Sequence, residues 1–274
     1  RTLVLNSNSA ATSGQATIRG TYNLNAWNVE VPSGAVVDFN TGTASESVAS
    51  LTVLNKLTMN GGTVSSNPPT YGSASLLSYE TESMTVGEEW SHSSTSGAGV
   101  PHHVEMEGDL TVDGYAVVGV NQTSTLTFTS AGDKGDLRVD GNLTIGLSGI
   151  ISGTRGDIQV SENFANNGPA AVFKSIELNG DIEQLFSVSA LTTDALVVNN
   201  SEDDAETGDS DVSISAAVDI TPGGVFNPLD GSVDINAPFT LNSDATGTAR
   251  IATLANAAAT SDVVGDITFE RYIP

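Results

Sequence analysis

The residues of this chain best suited to chemistry are three histidines and a scatter of carboxylates. His92, His102 and His103 stand close in sequence to Glu88, Glu89, Glu105 and Glu107. Such a set could in principle build a metal site or an acid–base pair. The spacing fits no standard ligand motif, and on a strand the adjacent His102 and His103 would point to opposite faces. The expectation is therefore a solvated loop with one partly buried histidine. A second candidate lies in the acidic run from Glu202 to Asp211. Its Asp203, Asp204, Glu206, Asp209 and Asp211 offer hard oxygen ligands in a loop, the chemistry that calcium selects. Neither the Asp-x-Asp-x-Asp-Gly loop nor Gly-Gly-x-Gly-x-Asp repeats occur. Calcium at these five residues thus competes with a plainer reading, charge that keeps a sheet edge soluble.

Carboxylate pairs such as Asp109 with Asp113, or Asp133 with Asp136, have the composition of a glycosidase site. Acidic residues beside glycine are also what turns demand. Trp27, Trp90, Tyr71, Tyr79 and Tyr115 could stack on sugars, yet aromatic residues are only 5% of the chain, and a Trp beside strand units usually fills an interior. Asn121, Asn142 and Asn199 each begin an N-glycosylation acceptor pattern, which matters only in hosts that use it. The Thr-rich stretch 124–130 lacks the recurring in-register pairs of a flat ice-binding face. The sequence favours no enzyme, since nine basic residues scattered singly give a lyase little cationic surface for acidic sugars.

The elements that would position these residues are short. Units of apolar, polar, apolar character recur throughout, as in Gly108-Asp109-Leu110-Thr111-Val112, Gly141-Asn142-Leu143-Thr144-Ile145 and Gly156-Asp157-Ile158-Gln159-Val160. Each can bury two side chains on one face and wet the third. One such strand is too small to be stable alone, whereas stacked copies share a core. Asp-Gly and Asn-Gly pairs would equally suit hairpins in an antiparallel sandwich. The run from Gly108 to Gly119 returns in character at Gly141 to Ser152, and that period favours a solenoid. Helical periodicity is nearly missing; Ile251 to Thr260 is Ala-rich and reads as a short helix or as tight small-residue coils. Two stretches break the rhythm: 65–96, with Pro68-Pro69, Tyr71, Tyr79 and Trp90, reads as an excursion or distorted coil, and 199–211 as a solvated acidic loop.

Lys and Arg total 9 against 33 Asp and Glu, a net charge of −24. That field disfavours nucleic acid and anionic membrane surfaces as partners. Charged residues are 15% of the chain, well below the usual share, and Ser, Thr, Asn and Gly carry the polarity. Cysteine is absent, so burial and backbone pairing must supply the stability. No run approaches the roughly 18 apolar residues that cross a bilayer. Arg1 is no initiator and no export segment follows it, which suggests a mature piece of a longer protein.

One series of residues resembles a known family. Glu89-Trp90-Ser91, then Gly97-Ala98-Gly99-Val100-Pro101, then Val104-Glu105-Met106 is similar to a stretch of the large β-helical surface proteins of Bacteroidota. Gly141-Asn142-Leu143-Thr144-Ile145, Asn163-Phe164-Ala165-Asn166-Asn167-Gly168 and Ile176-Glu177-Leu178-Asn179-Gly180 follow in the same order, with Gln184 downstream. The resemblance runs from about Trp90 to Pro274. Ser161-Glu162 and Leu185-Phe186 depart from the pattern. What the resemblance implies is a secreted or surface-attached adhesin-like protein, exported by the type nine secretion system, with no catalytic residues. It also implies as partners the flanking modules, secretion or outer-membrane proteins, and surface glycans.

The expected fold is all-β, a right-handed parallel β-helix over 1–262, its hand set by the crossover rule, with an exit strand over 263–274. The expected role is a structural stalk at the cell surface. The competing expectation is a carbohydrate-active β-helix enzyme, a polysaccharide lyase or hydrolase, whose carboxylates would converge in a cleft.

Overall fold

The structure is a computed structural model. It describes residues 2–4, 15–17, 21–23, 28–32, 36–38, 50–53, 56–61, 63–66, 68–73, 75–80, 83–90, 97–112, 116–118, 125–128, 136–145, 150–152, 157–166, 168, 171–201, 211–252 and 262–273. Among them the fold is all-β, with no helix, and its strands form one sheet of seven strands, one of 15 and two of three.

The pairing of these strands is parallel throughout. The seven-stranded sheet runs Thr2–Val4, Asn28–Pro32, Lys56–Asn60, Leu76–Tyr79, His103–Met106, Thr125–Phe128 and Ile150–Ser152, in sequence order. Between its members the chain visits other ladders in rotation. Gln15–Thr17 and Thr21–Asn23 each begin a separate sheet before Asn28–Pro32 returns to the first. Sequential strands are thus seldom neighbours, and each pairs with a strand one circuit further on. This pattern is compatible with a solenoid and excludes the antiparallel sandwich for these strands. The single antiparallel contact among the described residues is the bridge Ser243–Thr248.

In-register pairing sets like residues above like. One interior row reads Leu57, Leu77, Val104, Leu126 and another Leu110, Leu137, Ile158, Ile176, Leu196, Phe226; all are almost fully buried. A third row, Leu143, Phe164, Phe186, Ile214, stacks Phe164 on Phe186 with ring centroids 5.4 Å apart. Burying one such side chain is worth about 2–3 kcal/mol, and only the neighbouring rungs make that burial available.

Later strands lengthen and bend through the corners. Ala217–Asp230 pairs at Val218 with Phe239 and at Val225 with Arg250, so one strand serves two ladders and draws them into the 15-stranded sheet. Its corner is made by Gly223, with φ of 83°, and by Gly224, where an added Cβ would lie 2.4 Å from the carbonyl oxygen of Asp194. Val263–Phe269 closes the series by pairing with Val233–Leu241.

The stretch 65–96, expected as an excursion or a distorted coil, holds strands Thr70–Tyr71, Leu76–Tyr79 and Ser83–Thr85 within the ladders. The physical reason is that Pro69, Tyr79 and Trp90 fill the interior, so the bulky residues that looked like interruptions are packing. Of the Ala-rich segment, Ile251 ends strand Arg250–Ile251 and 253–260 lie outside the described residues. At the acidic loop, Asn199 ends a strand, Asn200 is buried, and 202–210 lie outside the described residues.

Gly180 tests the close spacing of rungs. An added Cβ there would sit 2.3 Å from the carbonyl oxygen of Ser161, backbone that cannot yield. Gly180→Ala should lower stability by about 2–4 kcal/mol in urea unfolding, while Gly97→Ala, with open space but positive φ, should lose about 1 kcal/mol. Equal losses at both positions would refute tight stacking.

Candidate functional site

The most concentrated chemistry sits inside the protein, around Glu89. Its side chain is fully buried. Oε2 accepts the N–H of Val64 at 3.1 Å, and Oε1 accepts the N–H of Gly87 at 2.9 Å and the Tyr79 hydroxyl at 3.3 Å. Its backbone carbonyl accepts the Tyr71 hydroxyl at 2.6 Å. Burial pushes the carboxyl above the usual glutamate range, opposed by the N–H groups of Gly87, Glu89 itself and Val64 and by the Tyr79 hydroxyl. Burial, and then the neighbouring Glu89 charge, pushes both phenols well above the usual tyrosine range. Trp90, also fully buried, donates from Nε1 to the carbonyl of Val117 at 3.0 Å. The Glu89 carboxyl is bonded to the N–H groups of Val64 and Gly87 and to Tyr79, so the cluster holds backbone in place.

A second set lies at the starts of strands on neighbouring rungs. Asp109 Oδ1 accepts the N–H of Asp136 at 3.1 Å, and Asp136 Oδ1 accepts the N–H of Asp157 at 3.0 Å. The column ends at Lys174, whose Nζ lies 4.0 Å from Asp157 Oδ1. Burial raises the pKa of Asp136 and the charges of Asp157 and Asp109 add to the rise, against the lowering donor from Asp157. Asparagines build a parallel column: Asn142 Oδ1 accepts the N–H of Asn163 at 3.0 Å and Asn163 Oδ1 that of Leu185 at 2.6 Å. The amide of Gln184 donates to the carbonyls of Val160 and Glu162 and accepts from Asn200. Corner polar groups are thereby committed to the backbone of adjacent rungs, where each satisfies a donor or acceptor the corner exposes.

Of the calcium candidates, Asp203, Asp204, Glu206 and Asp209 lie outside the described residues. Asp211 is described, and its Oδ2 accepts the N–H of Ser232 at 2.6 Å while its own N–H donates to Ser232 Oγ, another clamp between rungs. No group of three or more His, Asp or Glu suited to hold a metal occurs among the described residues. Asp113 and Asp133 fall outside them, so the suggested carboxylate pairs are not described as pairs. His92 is likewise outside. His102 precedes strand His103–Met106, so strand alternation does not separate it from His103, and their rings meet edge to face at 4.6 Å. His103 Nδ1 lies 3.0 Å from Thr125 Oγ1; burial and then His102 lower its pKa.

Two roles escaped the sequence reading. Glu89 stands in the sequence as one of the carboxylates near the histidines and at the head of Glu89-Trp90-Ser91, with nothing there to mark it as an interior acceptor of backbone N–H groups. The aspartate column had a signal, the recurrence of Asp ahead of each apolar triplet.

Two substitutions separate the clusters. Asp136→Asn keeps the acceptor for Asp157 and removes a charge between two others; near neutral pH it should gain about 0.5–1 kcal/mol in guanidinium unfolding. Glu89→Ala should lose about 2–4 kcal/mol by stranding two buried N–H groups. A loss at Asp136 or neutrality at Glu89 would overturn these assignments. No family model matches the chain, and neither a curated protein nor a solved structure matches it, so the reading of these sites rests on their geometry.

Proposed function

We propose that the chain is a right-handed parallel β-helix that serves as a structural stalk in a large secreted or cell-surface adhesin-like protein, exported by the type nine secretion system. The rotation of strands through parallel ladders supports the helix, and the crossover rule for parallel strands supplies its hand. The observation that carries the role is the commitment of Asp109, Asp136, Asn142, Asn163 and Asp211 to backbone groups of neighbouring rungs. These are the residue types an enzyme would turn toward substrate, and here they fasten one rung to the next. The resemblance to Bacteroidota surface proteins supports the address. Flanking modules, outer-membrane or secretion proteins and surface glycans are the partners such a stalk would meet. Its mechanism is length and stiffness: stacked rungs fix the separation of whatever the two ends carry, and the net charge of −24 resists self-association.

Removal of whole circuits tests this reading. Leu143, Phe164 and Phe186 occupy equivalent positions, so deleting 143–185 should excise two circuits and rejoin the ladders. With no native cysteine, dyes at Thr85→Cys and Asp266→Cys report length by energy transfer. The deletion should stay cooperatively folded and bring the dyes about 10 Å closer, two strand spacings. An unfolded deletion, or an unchanged distance, would sink the stalk. Release of reducing ends from polysaccharides, abolished by Asp136→Asn, would install the enzyme in its place.

A further inference from the structure

Segment Val86–Trp90 touches rungs on both sides of its own. Glu88 N–H donates to the carbonyl of Val64 at 2.8 Å, on strand Thr63–Ser66, and Val86 N–H to that of Thr111 at 2.9 Å, on strand Asp109–Val112. Trp90 reaches Val117 on strand Ala116–Val118. At the centre of this seam stands the Glu89 carboxyl, fully buried and without a cationic partner among the described residues. Its contacts are unequal in kind. The N–H groups of Val64, Gly87 and Glu89 itself can only donate, whereas the Tyr79 hydroxyl can donate or accept. If the carboxyl takes up a proton, the contact free to reverse is the one between Oε1 and Tyr79. The backbone donors keep their acceptors, and the buried charge disappears.

We propose that Glu89 is a proton-operated latch: with a proton on Oε1 directed at Tyr79, segment Val86–Trp90 stays seated between its neighbouring rungs, and ionisation at higher pH unseats it. The proposal rests on these hydrogen bonds and stands whether or not the protein is a stalk. Tyr71 and Tyr79 face the carboxyl and stay neutral, since burial holds both phenols well above their usual range. On the packed elements the other ionisable groups are Glu88, Asp109, and Lys56 with Glu80, which pair with each other at 2.7 Å. None of these is among the groups that shift Glu89, whose pKa burial raises. A raised folded value fixes the sign. The stabilising contribution is complete below the ordinary glutamate range and is lost as pH rises through the higher value of the folded state.

Trp90 reports the seam directly. In the full chain with Trp27→Phe, it is the remaining indole of two. Its emission should move to the red through a one-proton transition, at a midpoint above that of exposed glutamates, and Glu89→Gln should abolish that transition. Carbon-13 carboxyl NMR of glutamate-labelled protein should show one carboxyl titrating with the same midpoint. Persistence of the emission change in Glu89→Gln would overturn the latch, and so would a raised carboxyl titration with no change at Trp90. Should Glu89→Gln fail to fold, the NMR titration decides, because glutamates that all ionise in the ordinary range leave no proton to operate the latch.

Discussion

Parallel pairing between one rung and the next, in register, is the constraint from which the rest of the structure follows. A three- or four-residue strand can bury two side chains, and it does so only against an equivalent strand above or below. The row Leu110, Leu137, Ile158, Ile176, Leu196, Phe226 shows what this demands. Each position must be apolar and must arrive at the same height, although the intervening chain varies in length. The step from Leu196 to Phe226 is longer than that from Ile158 to Ile176, and part of the surplus is taken up at a register shift, where Thr193 to Ala195 faces Ile220 to Val225. A slip of one residue would turn the row outward, so the corners are where precision is needed.

Corners are also where backbone groups lose ladder partners, which explains the polar residues found there. Asp and Asn side chains are short enough to accept a backbone N–H from the adjacent rung while remaining at the turn. Asn142 and Asn163 perform this without charge. Asp109 and Asp136 perform the same service under mutual repulsion that a single Lys174 offsets at one end. The two columns show that the geometry asks for an oxygen acceptor and is indifferent to its ionisation; the charge is an added feature with an electrostatic cost.

Much of the architecture could be read from the sequence because its signal is local and repeated. Leu110-Thr111-Val112 and Leu143-Thr144-Ile145 declare their buried and exposed sides by residue type, and both are observed so. Parallel pairing was harder to read, since Asp140-Gly141 suits a hairpin as well as a corner; the repeat spacing was the sequence signal that weighed against hairpins. Residues 65–96 read as an excursion or a distorted coil because Pro69, Tyr71 and Trp90 carry no alternation. Pro69 and Trp90 are buried outside any strand, so no strand periodicity marks them. The polar clusters were the least legible. Glu89 owes its environment to Val64, Tyr71 and Tyr79, and the sequence separates these partners by 25, 18 and 10 positions.

The contrast between Glu89 and the corner aspartates explains where this acidic chain keeps its charge. At Asp136 partial burial, and after it repulsion from Asp157 and Asp109, raises the pKa, while the hydrogen bond from Asp157 N–H opposes the rise and the column stays intact. At Glu89 no solvent remains, and the N–H groups of Gly87, Glu89 itself and Val64 together with the Tyr79 hydroxyl do not outweigh the loss of hydration. An apolar residue there would take from the N–H groups of Val64 and Gly87 the carboxyl oxygens that accept them. The interior therefore needs an acceptor with two oxygens at this point. Glutamate is the side chain with that reach, and the neighbouring Tyr79 hydroxyl allows the acceptor to be neutral.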